Sequence, residues 1–278
     1  MIELGYSTYG MQGLDVFESL PRVRDIGYTA MEICVRSEWS TSADRFGEAS
    51  RRRLVAVFQE LGFPPPPLMD DLPICAEADD RTAMLDRASQ TFQMAADVNF
   101  DDQPAVVTTT LGHPEPPWEE GKGAIRDGFL EVADLAAEYN VIVAAEPHAI
   151  SVFDTPEKAE WLMEQTRHDH LKLNLDISHF VCQGIDLQHS IDVCLPYSAH
   201  THVKDGYIEN GNVRYQLPGD GDMDLTEYMK AVSGAGLKVP VYVEVSMQLS
   251  TLEGYDPWAT AERCYQALDR ARREAEAT

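Results

Sequence analysis

The chain has 278 residues, of which 44% are apolar, 22 are Lys or Arg and 47 are Asp or Glu, for a formal charge of -25. That balance excludes the basic footprint with which nucleic-acid binders displace counterions, and no uncharged apolar run approaches the roughly 20 residues of a membrane-spanning helix. Five scattered cysteines (Cys34, Cys75, Cys182, Cys194 and Cys264) without CxxC spacing predict free thiols in a reducing cytoplasm, and the start, MIELGYSTYG, has no basic segment leading into an apolar one.

Short apolar runs of strand character alternate with longer runs of helical spacing nearly from end to end. A first strand is read over residues 2–7 and a second over 30–35, followed by helical spacing over 51–61. The third follows Pro67 and is three or four residues at most, because the FPPPP run at 63–67 cannot donate to a ladder. Next come a helix over 80–95, a strand over 105–110, a Pro- and Glu-rich loop over 112–122 and a helix over 124–139. A strand over 141–146, a helix over 156–165 and strands over 171–176 and 198–204 lead to a second long loop, 206–224, which contains NGN and PGDGD turns. A helix over 225–233, an eighth strand over 239–245 and a helix over 258–276 close the chain. Eight βα units in a chain close to the roughly 250 residues typical of that fold predict an α/β protein, a single-domain (β/α)8 TIM barrel. No GxGxxG follows the first strand, which disfavours a dinucleotide-binding sheet. Both long loops follow strands and so belong to the C-terminal face, where barrels build their sites.

The late strands carry an unusual polar load. LKLNLDISHF, residues 171–180, alternates Leu171, Leu173 and Leu175 with Lys172, Asn174 and Asp176 before a His. A strand covered on both faces sends that second set into an interior, where an unpaired carboxylate is costly. Glu146, Asp176, His202 and Glu244 each stand at or near the C-terminal end of strands five to eight. One strand-end carboxylate can simply cap a helix or pair with a lysine. Four ionisable groups on adjacent strands repel one another unless a cation sits among them, so these four are read as ligands of one divalent metal. Oxygen-rich ligation with one imidazole suits Mn2+ best, with Mg2+, Co2+ or Zn2+ as alternatives.

The residues resemble the xylose-isomerase-like TIM barrels of the sugar phosphate isomerase/epimerase family, which include ketose 3-epimerases and inosose dehydratases. The resemblance rests on Glu146-Pro147-His148, Asp176-Ile177-Ser178-His179, His202-Val203-Lys204-Asp205, the loop from Pro218 to Asp222, and Val243-Glu244, with a weaker match at Met31-Glu32-Ile33. It implies that Glu146, Asp176, His202 and Glu244 bind the metal, that Glu146 and Glu244 are also an acid/base pair, and that His179 faces the substrate. Where ketose 3-epimerases follow the strand-seven His with Glu and then Arg, this chain has Lys204 and Asp205, closer to the dehydratase and general isomerase branches. The endonuclease IV branch adds His ligands on strands three and four. Here strand three has none and His113 lies beyond strand four.

A metal on a carbonyl and its neighbouring hydroxyl stabilises an enediolate, and glutamates on either side can move a proton from one face to the other. That predicts an isomerase or epimerase of a keto-sugar or polyol. If a leaving group is protonated instead, by His148 or His179, the same site is a lyase, an inosose-type dehydratase or a C-glycoside-cleaving enzyme. A non-catalytic sugar-binding barrel is the third reading. Lys204 is a further electrostatic handle, Glu32 a partner for a sugar hydroxyl, and Trp118, Tyr207, Tyr6 and Phe180 candidate aromatic faces for a sugar. His200 is read as support beneath His202, Lys172 and Asn174 as interior layers, and His168, His170 and His189 as surface. The expected partner is a small carbohydrate, with no nucleic acid and no membrane, leaving open a homo-oligomer or a partner subunit.

Overall fold

The computed structural model describes residues 1–113 and 115–277, apart from the side chains of 78 and 79; Pro114 of the first long loop lies outside the described residues. Eight parallel strands close a barrel: β1 (Leu4–Ser7), β2 (Ala30–Cys34), β3 (Leu68–Met69), β4 (Ala105–Thr109), β5 (Val141–Ala145), β6 (Leu171–Asp176), β7 (Ser198–Val203) and, closing onto β1, β10 (Val241–Val243). Register runs round the ring, with Ser7 beside Glu32, Asp176 beside His202, and Tyr242 beside both His202 and Gly5. Strand β3 is two residues long, yet Pro67 still offers its carbonyl to the Ile33 amide at 3.0 Å, the half of ladder pairing that proline retains.

Helices cover the outside. Val16–Ile26 (α1), Glu48–Leu61 (α2), Ala78–Val98 (α3), Trp118–Glu138 (α4) and Pro156–Thr166 (α5) follow the first five strands. Ile177–Val181 (α6) and Leu187–Cys194 (α7) follow β6, Leu225–Gly234 (α8) precedes β10, and Met247–Ser250 (α9) and Pro257–Glu276 (α10) end the chain. Their apolar stripes pack on the barrel, where Phe58, Phe92, Phe129, Phe153, Tyr28 and Tyr228 are among the fully buried side chains. Among the described residues no helix is long and apolar enough to cross a membrane.

The loop expected over 206–224 contains an antiparallel hairpin, β8 (Asp205–Glu209) paired with β9 (Asn212–Gln216). Asn210 and Gly211 both have positive φ, 51° and 79°, as the tight hairpin turn requires; the NG pair signalled it locally. The PGDGD segment then folds back on Asp205, whose carboxylate accepts the amides of Gly206 (2.8 Å), Gly219 (3.0 Å) and Met223 (3.1 Å). Lys172, expected in the interior, is half-buried at the N-terminal end of β6 and reaches water there.

Candidate metal centre

Glu146 is held just beyond β5 by its amide bond to the Thr109 carbonyl (2.9 Å), and Glu244 just beyond β10 by its bond to Val203 (3.1 Å). Asp176 ends β6 and caps α6, accepting the Ser178 amide at 3.0 Å and also the Ser178 hydroxyl. His202 lies beside Asp176 in the ladder. The four side chains expected as ligands, all buried, bring one donor atom each to within 4.8 Å of one another.

Two cations of the chain itself face these carboxylates. Lys204 Nζ contacts Asp176 Oδ2 and lies 3.0 Å from Glu244 Oε2, and His202 Nδ1 lies 2.9 Å from the same Glu244 oxygen and 3.4 Å from Glu146 Oε2. Burial opposes every charge in the cluster, but mutual attraction prevails. Glu146 stays well below the usual carboxylate range through His179, His202 and Lys204, and Asp176 is lowered chiefly by Lys204. Burial would likewise lower His202 and Lys204, yet Glu32, Glu146 and Glu244 hold His202 well above the imidazole range, and Asp176 and Glu244 raise Lys204. Glu244 Oε2 nevertheless accepts no aligned hydrogen bond, despite being buried between these groups. A buried carboxylate oxygen with cations near it but no aligned hydrogen bond, grouped with two further carboxylates and an imidazole, fits a divalent cation.

Beneath the cluster, Asn174 Nδ2 lies 2.7 Å from Glu146 Oε2 and 2.9 Å from His202 Nδ1. Glu32, expected to meet a sugar hydroxyl, is instead fully buried. Its Oε2 lies 3.0 Å from both His202 Nε2 and His200 Nε2, and its Oε1 accepts the Ser7 hydroxyl at 2.6 Å, so it orients an imidazole; with His200 and His202 it also forms a second buried group of potential donors within 4.8 Å of one another. His200 is the expected support, held largely neutral by burial.

A cleft of about 220 Å³ opens onto this centre, lined among the described residues by Glu146, Glu244 and His148 and walled by Tyr9, Arg36 and Asp71. None of the expected substrate contacts His179, Lys204, Glu32 and Trp118 lines it, whereas His148, expected as an acid, does; burial and nearby His179 keep the His148 pKa well below the imidazole range. His179 is fully buried behind Glu146, its Nε2 3.0 Å from Glu146 Oε1. Lys204 is turned into the carboxylate cluster rather than toward the cleft. Trp118, expected to meet the substrate, begins α4 and stacks on Phe153 (6.1 Å) and edge-on against Trp161 (5.4 Å), so its rings tie the helical layer together. Tyr6 and Phe180 are fully buried in the core, and Tyr207 stands on β8 outside the cleft lining.

Sequence reading missed the outer wall, where Tyr9 stacks on Trp39 (5.4 Å) with the Arg36 guanidinium 5.8 Å from the Tyr9 ring centre. The available signal was position, since Tyr9 and Arg36 directly follow β1 and β2 at the C-terminal face. It also missed Tyr215, whose hydroxyl lies 2.7 Å from His179 Nδ1.

Fold and site together define a parallel eight-stranded barrel with a carboxylate-rich candidate metal centre at its C-terminal face. The chain belongs to the xylose isomerase-like TIM barrel family, whose profile matches residues 20–273. Among curated proteins no sequence matches it. Solved structures share the fold at low identity. The IOLI protein with a bound zinc atom aligns at TM-score 0.78 and 19% identity, over 99% of each chain. D-psicose 3-epimerase with D-tagatose from Clostridium cellulolyticum H10 aligns at TM-score 0.78 and 15% identity, again over 99% of each. The probable 3-DHS dehydratase AsbF of Bacillus anthracis aligns at TM-score 0.77 and 17% identity, over 96% of this chain and 99% of that one.

Proposed function

We propose that the protein is a divalent-metal-dependent isomerase or epimerase of a keto-sugar or polyol. The observation that carries this reading is that Glu146 and Glu244 belong both to the four-residue donor set and to the cleft wall. Glu146, Asp176, His202 and Glu244 would hold the ion, which supplies Lewis-acid polarisation of a carbonyl. Mn2+ is the ion we assign, from the oxygen-rich donors; Mg2+, Co2+ and Zn2+ satisfy the same set less selectively. The chain's own part is proton movement. One glutamate takes the carbon-bound proton beside the carbonyl and the other returns one to the opposite face. Asn174 and His179 each hold one oxygen of Glu146, orienting its carboxylate. Carbohydrate-processing neighbours support a sugar ligand, and the free cysteines support a cytoplasmic setting.

A lyase needs an acid for the leaving group. His148 is the imidazole at the cleft and the candidate for that role. The test is incubation of the Mn2+-loaded protein with ketoses and inososes in heavy water. Deuterium at the carbon next to the carbonyl, in an isomer otherwise unchanged in mass, is the expected result. A product lighter by water would favour the lyase. Tight binding without incorporation or conversion, under conditions where an active relative shows both, would favour a binding protein.

A further inference from the structure

His179 has one nitrogen on each side of a boundary. Its Nε2 points inward to Glu146 Oε1 at 3.0 Å, with Asp176 Oδ2 at 3.5 Å, and both are carboxylate oxygens that accept only. A proton therefore belongs on Nε2. Its Nδ1 points outward, where the partner at 2.7 Å is the hydroxyl of Tyr215 on β9. The Tyr215 ring stands edge-on to the imidazole, centroids 5.4 Å apart and planes at 85°, while Lys204 Nζ lies 5.4 Å from the centre of the same ring. Tyr215 is itself 4% exposed, and Gln248 clamps its strand: Oε1 accepts the Tyr215 amide (3.1 Å) and Nε2 donates to the Val213 carbonyl (3.2 Å). The hydroxyl is thus presented by a fixed element.

We infer that Tyr215 is a positioning residue: its hydroxyl donates to His179 Nδ1 and anchors the imidazole, so that the Nε2–H holds the Glu146 carboxylate for proton transfer at the cleft. This rests on the reading of Glu146 as an acid/base group. With Asn174 Nδ2 on Oε2 and His179 Nε2 on Oε1, Glu146 has no freedom to turn about its terminal torsion. Without the hydroxyl the Nε2 proton stays on the side of the two carboxylates, but Nδ1 loses its partner and the imidazole its outward anchor, so the ring is free to tilt away from Glu146. Small losses of alignment at a proton-transferring group cost rate rather than binding.

The tautomer can be observed without knowing the substrate. Histidine-selective ¹⁵N spectra of the Mg2+-loaded protein should give His179 a protonated Nε2 and a lone-pair Nδ1; an Nδ1–H or doubly protonated ring overturns the inference outright. Tyr215→Phe keeps the aromatic ring and should leave the Nε2 proton in place but shift the His179 Nδ1 resonance as its hydrogen bond is lost, whereas Tyr207→Phe, on the same hairpin, should leave it unchanged. An unaltered His179 spectrum in Tyr215→Phe overturns the assignment. With any ketose that exchanges deuterium on the wild-type protein, Tyr215→Phe should lower kcat by at least about tenfold, with KM within about twofold. Equal losses in kcat and Mg2+ affinity would mean a merely structural role. If the Nδ1 resonance responds as stated but no ketose exchanges on the wild type, the positioning of His179 stands and the isomerase reading fails.

Discussion

Asp176 shows how much one residue can carry when its position is set by three elements. It terminates β6, caps α6 through the Ser178 amide and offers its other oxygen to the candidate metal centre. Asp176→Asn keeps the shape and a capping oxygen but removes a charge, so metal affinity should collapse while the fold survives; titration calorimetry with Mn2+ reads the first and circular dichroism the second. Glu32→Gln should weaken Mn2+ binding by about 10- to 100-fold without exposing anything to the cleft, because it acts through the orientation of His202. An unchanged affinity would leave Glu32 a core residue only. The same imidazole predicts a pH effect. Its pKa is raised in the fold, so without a cation its stabilising proton is fully bound below pH about 6.5 and that stability is lost as pH rises through the folded value. A cation taking Nδ1 displaces this proton. Mn2+ affinity should therefore rise with pH, with proton release visible as a dependence of binding heat on buffer ionisation enthalpy.

At the scale of elements, the hairpin β8–β9 is tied to the barrel at its base. Asp205 gathers backbone amides from the PGDGD segment, and a side chain at Gly221 would run into the Asp205 carboxylate and the Gly206 amide. Gly221→Ala should therefore break part of this knot and destabilise the protein by about 1–3 kcal/mol, the cost of leaving buried polar groups unpaired, as measured by urea denaturation. It should also loosen Tyr215 and thus shift the His179 Nδ1 resonance, whereas a loss of stability with an unmoved His179 signal would separate the knot from the site. The hairpin was half legible: Asn210-Gly211 announces a turn, but nothing local says that residues 212–216 form a strand that sends Tyr215 to an imidazole 36 residues earlier.

For the whole molecule, removing the metal should lower thermal stability, since a ligand bound only by the folded state contributes about 2.7 kcal/mol when present at 100 times its Kd. A melting curve unchanged between chelator-stripped and Mn2+-reloaded protein, with stripping verified by elemental analysis, would count against the centre. The strand rhythm, the eight-unit count and the ionisable strand ends of β5, β6, β7 and β10 were readable from the chain because alternation and chain length are local properties that a closed parallel barrel converts directly into one interior and one face. That is why Glu146, Asp176, His202 and Glu244 could be named together before their geometry was seen. The direction in which Glu32, His179, Lys204 and Trp118 point was not readable in this way. Each stands at a plausible strand end or loop, yet Glu32 is drawn under His202, Lys204 into the carboxylates, His179 behind Glu146 and Trp118 between helices. Buried charge goes wherever partners across the ring satisfy it, and those partners lie up to 170 residues away in sequence, as between Glu32 and His202. Local pattern alone thus determined which residues enter the barrel's upper layer. Which of them meet a ligand and which serve one another was decided only when tertiary structure closed the barrel and brought distant charges within hydrogen-bond reach.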